Sequence, residues 1–294
     1  MAIELKMKEY IPAEIKAAVV IVHGMCEHQL RYEEFAQYLC NQGYYVMTYD
    51  QLGHGESAEG EFGYFGKKGW KRIVLCVDKA VKRVKELYPD LPVFLFAHSM
   101  GAIVARCYIQ SHDGDIDGLI LSGAPNHPKS TKAARGLAKT LCAVRGPKKR
   151  TDLLHMLAEG SYSKSIEGAE TPLDWLSFNK ENIEKYAEDP YCQIRFTNRA
   201  YADLAQGVDK MHQVRKYQVN KPDLPILFVA GEQDPCIGGK EGFAQSMDRL
   251  AKAGYTDIRS HLFENSRHEI LNDNEKEEVM AYVLAWMEKK LSVE

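Results

Sequence analysis

An α/β architecture, with a mostly parallel central sheet, helices on both faces and a helical insertion, follows from three features of the chain. Short apolar runs that read as buried strands alternate with longer segments whose apolar residues recur at helical spacing. The sharpest join between the two, residues 91–101 (LPVFLFAHSMG), carries a serine at its tip. From residue 126 to about 218 the alternation stops and only helical segments are legible. That marks an insertion above the strand ends, where open α/β sheets bind ligands. The core is therefore expected at 1–125 and 219–294, and a helical cap, or lid, at 126–218.

The N-terminal MAIELKMKEYIP mixes charges with apolar residues and is no signal peptide. Residues 16–22 (KAAVVIV) form a buried strand that ends in His23-Gly24-Met25-Cys26-Glu27-His28. Phe35, Tyr38 and Leu39 mark a helix that stops near Gly43, and 44–49 (YYVMTY) is the next strand. It leads into Asp50-Gln51-Leu52-Gly53-His54-Gly55-Glu56-Ser57. Gly53, Gly55 and Ala58 have the spacing of a dinucleotide fingerprint, but that use needs a helix opening at once on the glycines. Here Gly60, Gly63, Gly66 and Gly69 continue a loop, so no nucleotide cofactor is expected. His54 and Asp50 read as loop braces, and His23 and His28 as polar groups that hold their own loop. Ile73, Val74, Val77, Val81, Val84 and Leu87 then form a helical stripe over 70–87 that faces a sheet.

Residues 93–97 suit a strand buried on both faces of a parallel sheet. Ile103, Val104 and Cys107 follow at helical spacing. Ser99 lies at the turn between small residues, Ala97 and Gly101, because strand and helix must pass very close there. Such a turn lifts the hydroxyl clear of the sheet and points a helix N-terminus at it. The pattern resembles the nucleophile elbow of α/β-hydrolases, Gly-x-Ser-x-Gly, with Ala97 in place of the first glycine. The resemblance implies an oxyanion hole shared between the loop after strand 16–22 and the residue after the serine. Its donors would be the backbone N–H groups of Met25 and Met100.

Residues 116–121 are a further strand, ending at Ser122-Gly123-Ala124-Pro125. The insertion reads as helices at 131–144, 151–158, 180–186 and 197–217. Strand 225–230 ends in Gly231-Glu232-Gln233-Asp234-Pro235, and a helix covers about 239–253. Strand 257–263 ends in Glu264-Asn265-Ser266-Arg267-His268-Glu269, and helix 275–291 closes the chain.

A serine hydroxyl is a poor nucleophile at neutral pH and needs a base, itself oriented by a carboxylate. Ser99, Asp234 and His268 each lie just past a strand, in the order expected for this fold. All three should meet on one edge of the sheet as the catalytic residues. Glu232 is the rival acid, closer to its strand, and His261 sits inside the last strand. No His and Cys spacing resembles a metal site, so neither metal nor cofactor is expected.

Over nearly the whole chain apart from the cap, these motifs resemble the monoglyceride lipase and lysophospholipase branch of α/β-hydrolases, which includes serine aminopeptidase-like members. The matching stretches are His23-Gly24-Met25 with Glu27-His28 and Arg31-Tyr32; Asp50 with Gly53-His54-Gly55-Glu56-Ser57; His98-Ser99-Met100-Gly101; Gly231-Glu232 with Asp234-Pro235; and Arg267-His268-Glu269. In the cap, Asp189-Pro190-Tyr191-Cys192 with Phe196-Thr197 resembles bacterial lysophospholipase-like members. The departures are Ala97 and Gln51-Leu52, where a basic residue often precedes the glycine. The resemblance implies hydrolysis of a carboxylic ester, above all monoacylglycerol or lysophospholipid, through an acyl-enzyme on Ser99. A general carboxylesterase or an S33-type aminopeptidase would use the same triad. An aminopeptidase needs cap carboxylates for the substrate's ammonium group, and Glu159, Glu167, Glu170, Asp174, Glu181, Glu184, Glu188 and Asp189 are available. A catalytically inactive, ligand-binding α/β-hydrolase would usually lack a triad member.

The 294 residues, 45% hydrophobic and 27% charged, suit an ordinary globular protein. A net charge of −3 carries no nucleic-acid signal, and no apolar run approaches the roughly 20 residues of a bilayer span. The cysteines, at 26, 40, 76, 107, 142, 192 and 236, are odd in number and form no CxxC. That argues for a reducing, cytoplasmic setting over a disulfide framework. Of cap residues Leu137, Leu141, Leu153, Leu154, Met156, Leu157, Trp175, Leu176, Phe178 and Phe196, most are expected in the cap's own core and some along an acyl channel. Residues 126–151 hold eight basic side chains (Lys129, Lys132, Arg135, Lys139, Arg145, Lys148, Lys149, Arg150) and no acidic one. Such a run suits an anionic head group or a transient contact with an anionic membrane surface, or else a solvated helix face.

Overall fold

The computed structural model describes residues 3–58, 60–128, 130–160 and 162–292. Its sheet has strands β1 (Met7–Tyr10), β2 (Ala17–Val22), β3 (Tyr44–Tyr49), β4 (Val93–His98), β5 (Gly118–Ser122), β6 (Ile226–Gly231) and β7 (Ile258–Phe263). Their order in space is β1-β3-β2-β4-β5-β6-β7. Only β1 runs antiparallel to its neighbour; every other pairing is parallel.

The sequence pattern gives no hint of β1. It is a four-residue edge strand with Tyr10 as its one buried residue. A strand paired on one side and half solvated needs no apolar run to form.

Successive side chains of a strand point to opposite faces, and both faces here are packed. Val19 and Ile21 of β2 and Phe94 and Phe96 of β4 share one core with α1 (Glu33–Asn41) and α9 (Lys276–Leu291), through Phe35, Leu39, Val279 and Met287. Val20 and Val22 of β2 and Leu95 and Ala97 of β4 face the other way. They meet α2 (Gly69–Leu87), α3 (Met100–His112) and α8 (Gly239–Ala253), through Val77, Val104 and Leu250.

Between β5 and β6 the described residues contain no strand. They form α4 (Thr131–Arg145), α5 (Asp152–Ala158), α6 (Lys180–Glu188) and α7 (Asn198–Met211). Helix α7 packs on α4 and also on α2 and α3. It is shorter than the 197–217 read from periodicity: it stops at Met211, and Val214–Lys216 is a separate 3-10 turn. The hydroxyl of buried Tyr217 donates to the Met211 carbonyl at 2.7 Å, satisfying an acceptor that the helix end leaves open. All seven cysteines are free, and no described helix is long and apolar enough to cross a membrane. Lys129 of the basic run lies outside the described residues.

Candidate active site

Strand β4 ends at His98 and α3 begins at Met100, so Ser99 alone makes the turn. Its backbone, φ 51° and ψ −118°, is one that side-chain-bearing residues rarely adopt, and such strain collects at functional sites. The close passage depends on Gly101, where a Cβ would collide with the carbonyls of Val22 and His23. Ala97 is fully buried inside β4, so the extra methyl is accommodated.

Ser99 Oγ lies 2.8 Å from His268 Nε2, and His268 Nδ1 lies 2.8 Å from Asp234 Oδ2. The other Asp234 oxygen accepts the Cys236 N–H at 2.8 Å. One oxygen is thus held by the backbone of the 3-10 turn Pro235–Ile237, and the second is aimed at the imidazole. The loop carrying His268 is held by the Arg267 N–H donating to Asp273 at 2.8 Å and by the Ser266 hydroxyl donating to Glu275 at 2.8 Å. The three side chains chosen from the sequence therefore converge at one sheet edge. The rival acid Glu232 is instead paired with Lys240 at 2.5 Å, and His261 stacks on Tyr282.

Burial opposes a charge on the His268 ring. The Asp234 carboxylate in contact, with Cys236 beside it, outweighs burial and holds this histidine well above its ordinary value. Neighbouring His98 goes the other way: burial first, then His268, holds it well below. It stays neutral and shares a hydrogen bond with the Ser122 hydroxyl at 3.1 Å.

Met25 and Met100 line the same cavity as Ser99. Met100 opens α3, so its N–H has no acceptor within the helix. Gly24 brings the opposite loop close, because a Cβ there would sit 3.0 Å from Ser99 Cβ. Glu27 accepts the Gly24 N–H, and the His23 ring accepts from the Gln51 N–H at 2.9 Å and donates to the Gly24 carbonyl at 2.8 Å. Asp50 accepts from the N–H groups of Gln29 and Glu56, each at 2.9 Å, and His54 donates to the Leu52 carbonyl at 3.1 Å. These are braces, as the sequence suggested, and burial holds both His23 and His54 at about 3, hence uncharged. His28 does more than hold its loop. It reaches Asp189 of the insertion at 2.7 Å.

The family model described as "Serine aminopeptidase, S33" matches residues 13–275. The chain belongs to this α/β-hydrolase family. Monoglyceride lipase of Homo sapiens is 28% identical over 246 residues, covering 81% of this chain and 73% of that one. Monoacylglycerol lipase of Mycolicibacterium smegmatis is 25% identical over 280 residues, covering 92% and 88%. The crystal structure of a thermostable carboxyl esterase from Bacillus coagulans in complex with glycerol superposes with a TM-score of 0.91. The identity is 27%, over 98% of this chain and 94% of that one. The resemblance read from the motifs holds.

In this S33-family hydrolase a cavity of about 280 Å³ opens on Ser99. Met25, Ile103, Leu154, Leu157, Leu204 and Val208 give it apolar walls, and among the described residues that line it Glu159 is the one charged side chain. Of the eight cap carboxylates named from the sequence, then, only Glu159 reaches it. Asp189 is on His28, Glu170 on Lys180 and Glu181 on Lys185. Leu154, Leu157 and Trp175 face the cavity, whereas Leu176 packs with Tyr186 and Cys192 in a small cap core. Burial pushes the thiols of Cys26 and Cys236 up, which leaves both protonated and poorly nucleophilic.

Two neighbours of His268 escaped sequence reasoning. The Trp175 ring lies 4.9 Å from the imidazole. Gly123 has φ +52°, and a Cβ there would sit 3.1 Å from the rings of both His268 and His98. Its signal was a glycine ending the strand beside the elbow strand. Among the described residues, three side-chain groups bring metal-ligand atoms within 4.8 Å of one another: His28, Asp189 and Cys192; Asp234, Cys236 and His268; and Asp78, His112 and Asp115. The first has the Arg31 cation beside it, the second includes Ser99's partner, and the third is only half-buried.

Proposed function

We propose that this hydrolase cleaves single-chain lipid esters, monoacylglycerol or lysophospholipid, through Ser99, His268 and Asp234. The observation that carries the reading is the unbroken run of two 2.8 Å contacts, from carboxylate to imidazole to hydroxyl, at an apolar cavity. His268 donates from Nδ1 to Asp234 and accepts the Ser99 proton at Nε2 as Oγ attacks the ester carbonyl. The N–H groups of Met25 and Met100 stabilise the oxyanion. The imidazolium then protonates the leaving alkoxide. A water deprotonated by the same ring attacks the acyl-enzyme and frees the acid and Ser99.

The apolar walls suit an acyl chain, and the Glu159 carboxylate can accept hydrogen bonds from the hydroxyls of a glycerol head. The names of the two lipase relatives support that substrate class. Glu159 would also attract an ammonium group, which keeps an aminopeptidase as the second reading. The test is a panel of monoacylglycerols, lysophospholipids, p-nitrophenyl esters and aminoacyl amides. Monoacylglycerol or lysophospholipid is expected to be cleaved fastest, and Glu159→Gln to lower kcat/KM for monoacylglycerol roughly 3- to 10-fold, because an uncharged acceptor bonds more weakly. A clear preference for aminoacyl amides, lost in Glu159→Gln, would replace the lipid reading with the peptidase one.

Residues 126–218 would serve as the cap over this cavity, in a cytoplasmic enzyme whose free cysteines suit a reducing compartment. A transient contact with an anionic membrane surface would use α4 and α5. Val144, Leu153, Met156 and Leu157 are exposed there, among exposed Lys132, Lys139, Arg145 and Lys149. Arg135 is partly neutralised by Asp209, and Lys148 by Glu61. Co-sedimentation with phosphatidylserine vesicles should fall as salt rises; equal binding to neutral vesicles would remove the electrostatic part.

A further inference from the structure

We infer that Arg31 is a positioning residue for this reaction: its buried guanidinium holds the oxyanion loop, the histidine loop and the cap against one another. The inference rests on the serine-hydrolase reading above.

The Arg31 side chain is 8% exposed. One terminal nitrogen donates to Glu269 Oε2 at 2.5 Å and to Asn182 Oδ1 of α6 at 2.9 Å. Asn182 in turn donates to the same Glu269 oxygen at 2.7 Å, which closes a triangle. Arg31 Nε lies 3.6 Å from Glu27 Oε2. The other Glu27 oxygen accepts the Gly24 N–H and, at 2.8 Å, the Tyr32 hydroxyl. The guanidinium also lies over the ring of Tyr186, whose hydroxyl donates to the Cys26 carbonyl at 2.8 Å.

Two paths therefore leave one cation. Through Glu27, Arg31 fixes Gly24 and hence the N–H of Met25. Through Glu269 it fixes the residue next to His268. The Glu269 N–H donates to the Leu176 carbonyl at 2.8 Å, beside the Trp175 whose ring lies 4.9 Å from the imidazole. The charge count makes the cation necessary. Two carboxylates, Glu27 and Glu269, are buried against a single guanidinium. Burial and then Glu269 already push Glu27 up to about 7, and Arg31 holds it down. Without Arg31, Glu27 must take up a proton or the two carboxylates must separate; the first weakens its hold on the Gly24 N–H and the second parts the two loops. Transition-state donors tolerate little misplacement. Lysine would keep the charge but lose the planar fork that spans Glu27, Glu269 and Asn182.

The test compares Arg31→Met, Arg31→Lys and Asn182→Ala in the full chain, with Lys16→Met as a control at the exposed Lys16–Glu288 pair. Readouts are kcat, KM, active-site titration with a fluorophosphonate, and inhibition by a trifluoromethyl ketone, whose adduct places an anion in the oxyanion hole. Arg31→Met should lower kcat by about 10²–10³ per titrated site, with KM changed less than about 3-fold. Its Ki for the ketone should rise in step with the loss of kcat. Arg31→Lys and Asn182→Ala should show smaller losses in the same direction, so the inference stays testable if Arg31→Met does not fold. Lys16→Met should match the wild type. Unchanged kcat per titrated site and unchanged Ki in the Arg31 variants would overturn the inference and reduce Arg31 to a structural ion pair. Full turnover in Ser99→Ala would instead remove the catalytic reading beneath it.

Discussion

Ser99→Ala is expected to lower kcat by about 10⁴–10⁶ and to abolish labelling by a fluorophosphonate, and His268→Ala should match it. The equality follows from geometry. In the proposed mechanism Ser99 Oγ has one base, His268 Nε2 at 2.8 Å, and the base has one nucleophile to serve. Removing either ends the same proton transfer, so the double variant should be no slower than the worse single one. What survives is the contribution of the oxyanion donors and the cavity, which do not touch the proton. Ser99→Ala removes one hydroxyl, so its thermal stability should stay close to that of the wild type, whereas His268→Ala strips the buried Asp234 carboxylate of its partner and should lower the melting temperature. Steady-state assays on a chromogenic ester, with the melting temperature measured alongside, decide it. Wild-type turnover in either single variant would exclude Ser99 and His268 as nucleophile and base.

How far the sequence reaches can be seen by comparing residues it resolved with residues it did not. Strands β2, β3, β4 and β6 are fully buried and carry continuous apolar runs, so they are legible from composition alone. Edge strand β1 is held by pairing with β3, and pairing leaves no mark in a single segment. Asp234 could be preferred to Glu232 by its distance past the strand, because a rigid sheet turns sequence offset into position. Gly231 tightens that link further, since a Cβ there would collide with the carbonyls of Ser266 and Arg267 in the histidine loop. The arrangement around Arg31 was not legible. Arg31, Asn182 and Glu269 lie in three separate segments, and only the folded chain brings them within 3 Å. For the same reason eight cap carboxylates looked equivalent until the fold placed Glu159 alone at the cavity.

The pH profile is the sharpest measure of the contact between Asp234 and His268. A histidine with its ordinary value would give an acid limb in kcat/KM centred near ~6.5, and that is what the motif alone suggests. The structure shifts the expectation. Burial disfavours the imidazolium, but the Asp234 carboxylate at 2.8 Å stabilises it more and raises the histidine. Only the neutral ring can take the Ser99 proton. A raised value therefore moves the limb to higher pH, and activity should still be climbing above ~6.5. Asp234→Asn should reverse this. The asparagine oxygen will keep the Cys236 N–H bond that Asp234 Oδ1 now accepts, which turns its NH₂ toward His268 Nδ1. Nδ1 must then be the acceptor, so the ring proton sits on Nε2 and faces Ser99. A nitrogen carrying a proton cannot accept one, and kcat should fall by about 10⁴. With the carboxylate charge gone and burial unopposed, the residual activity should show its acid limb below that of the wild type. A variant that kept the wild-type limb would mean that some other group titrates in the profile, and that the contact between residues 234 and 268 does not set the basicity of the ring.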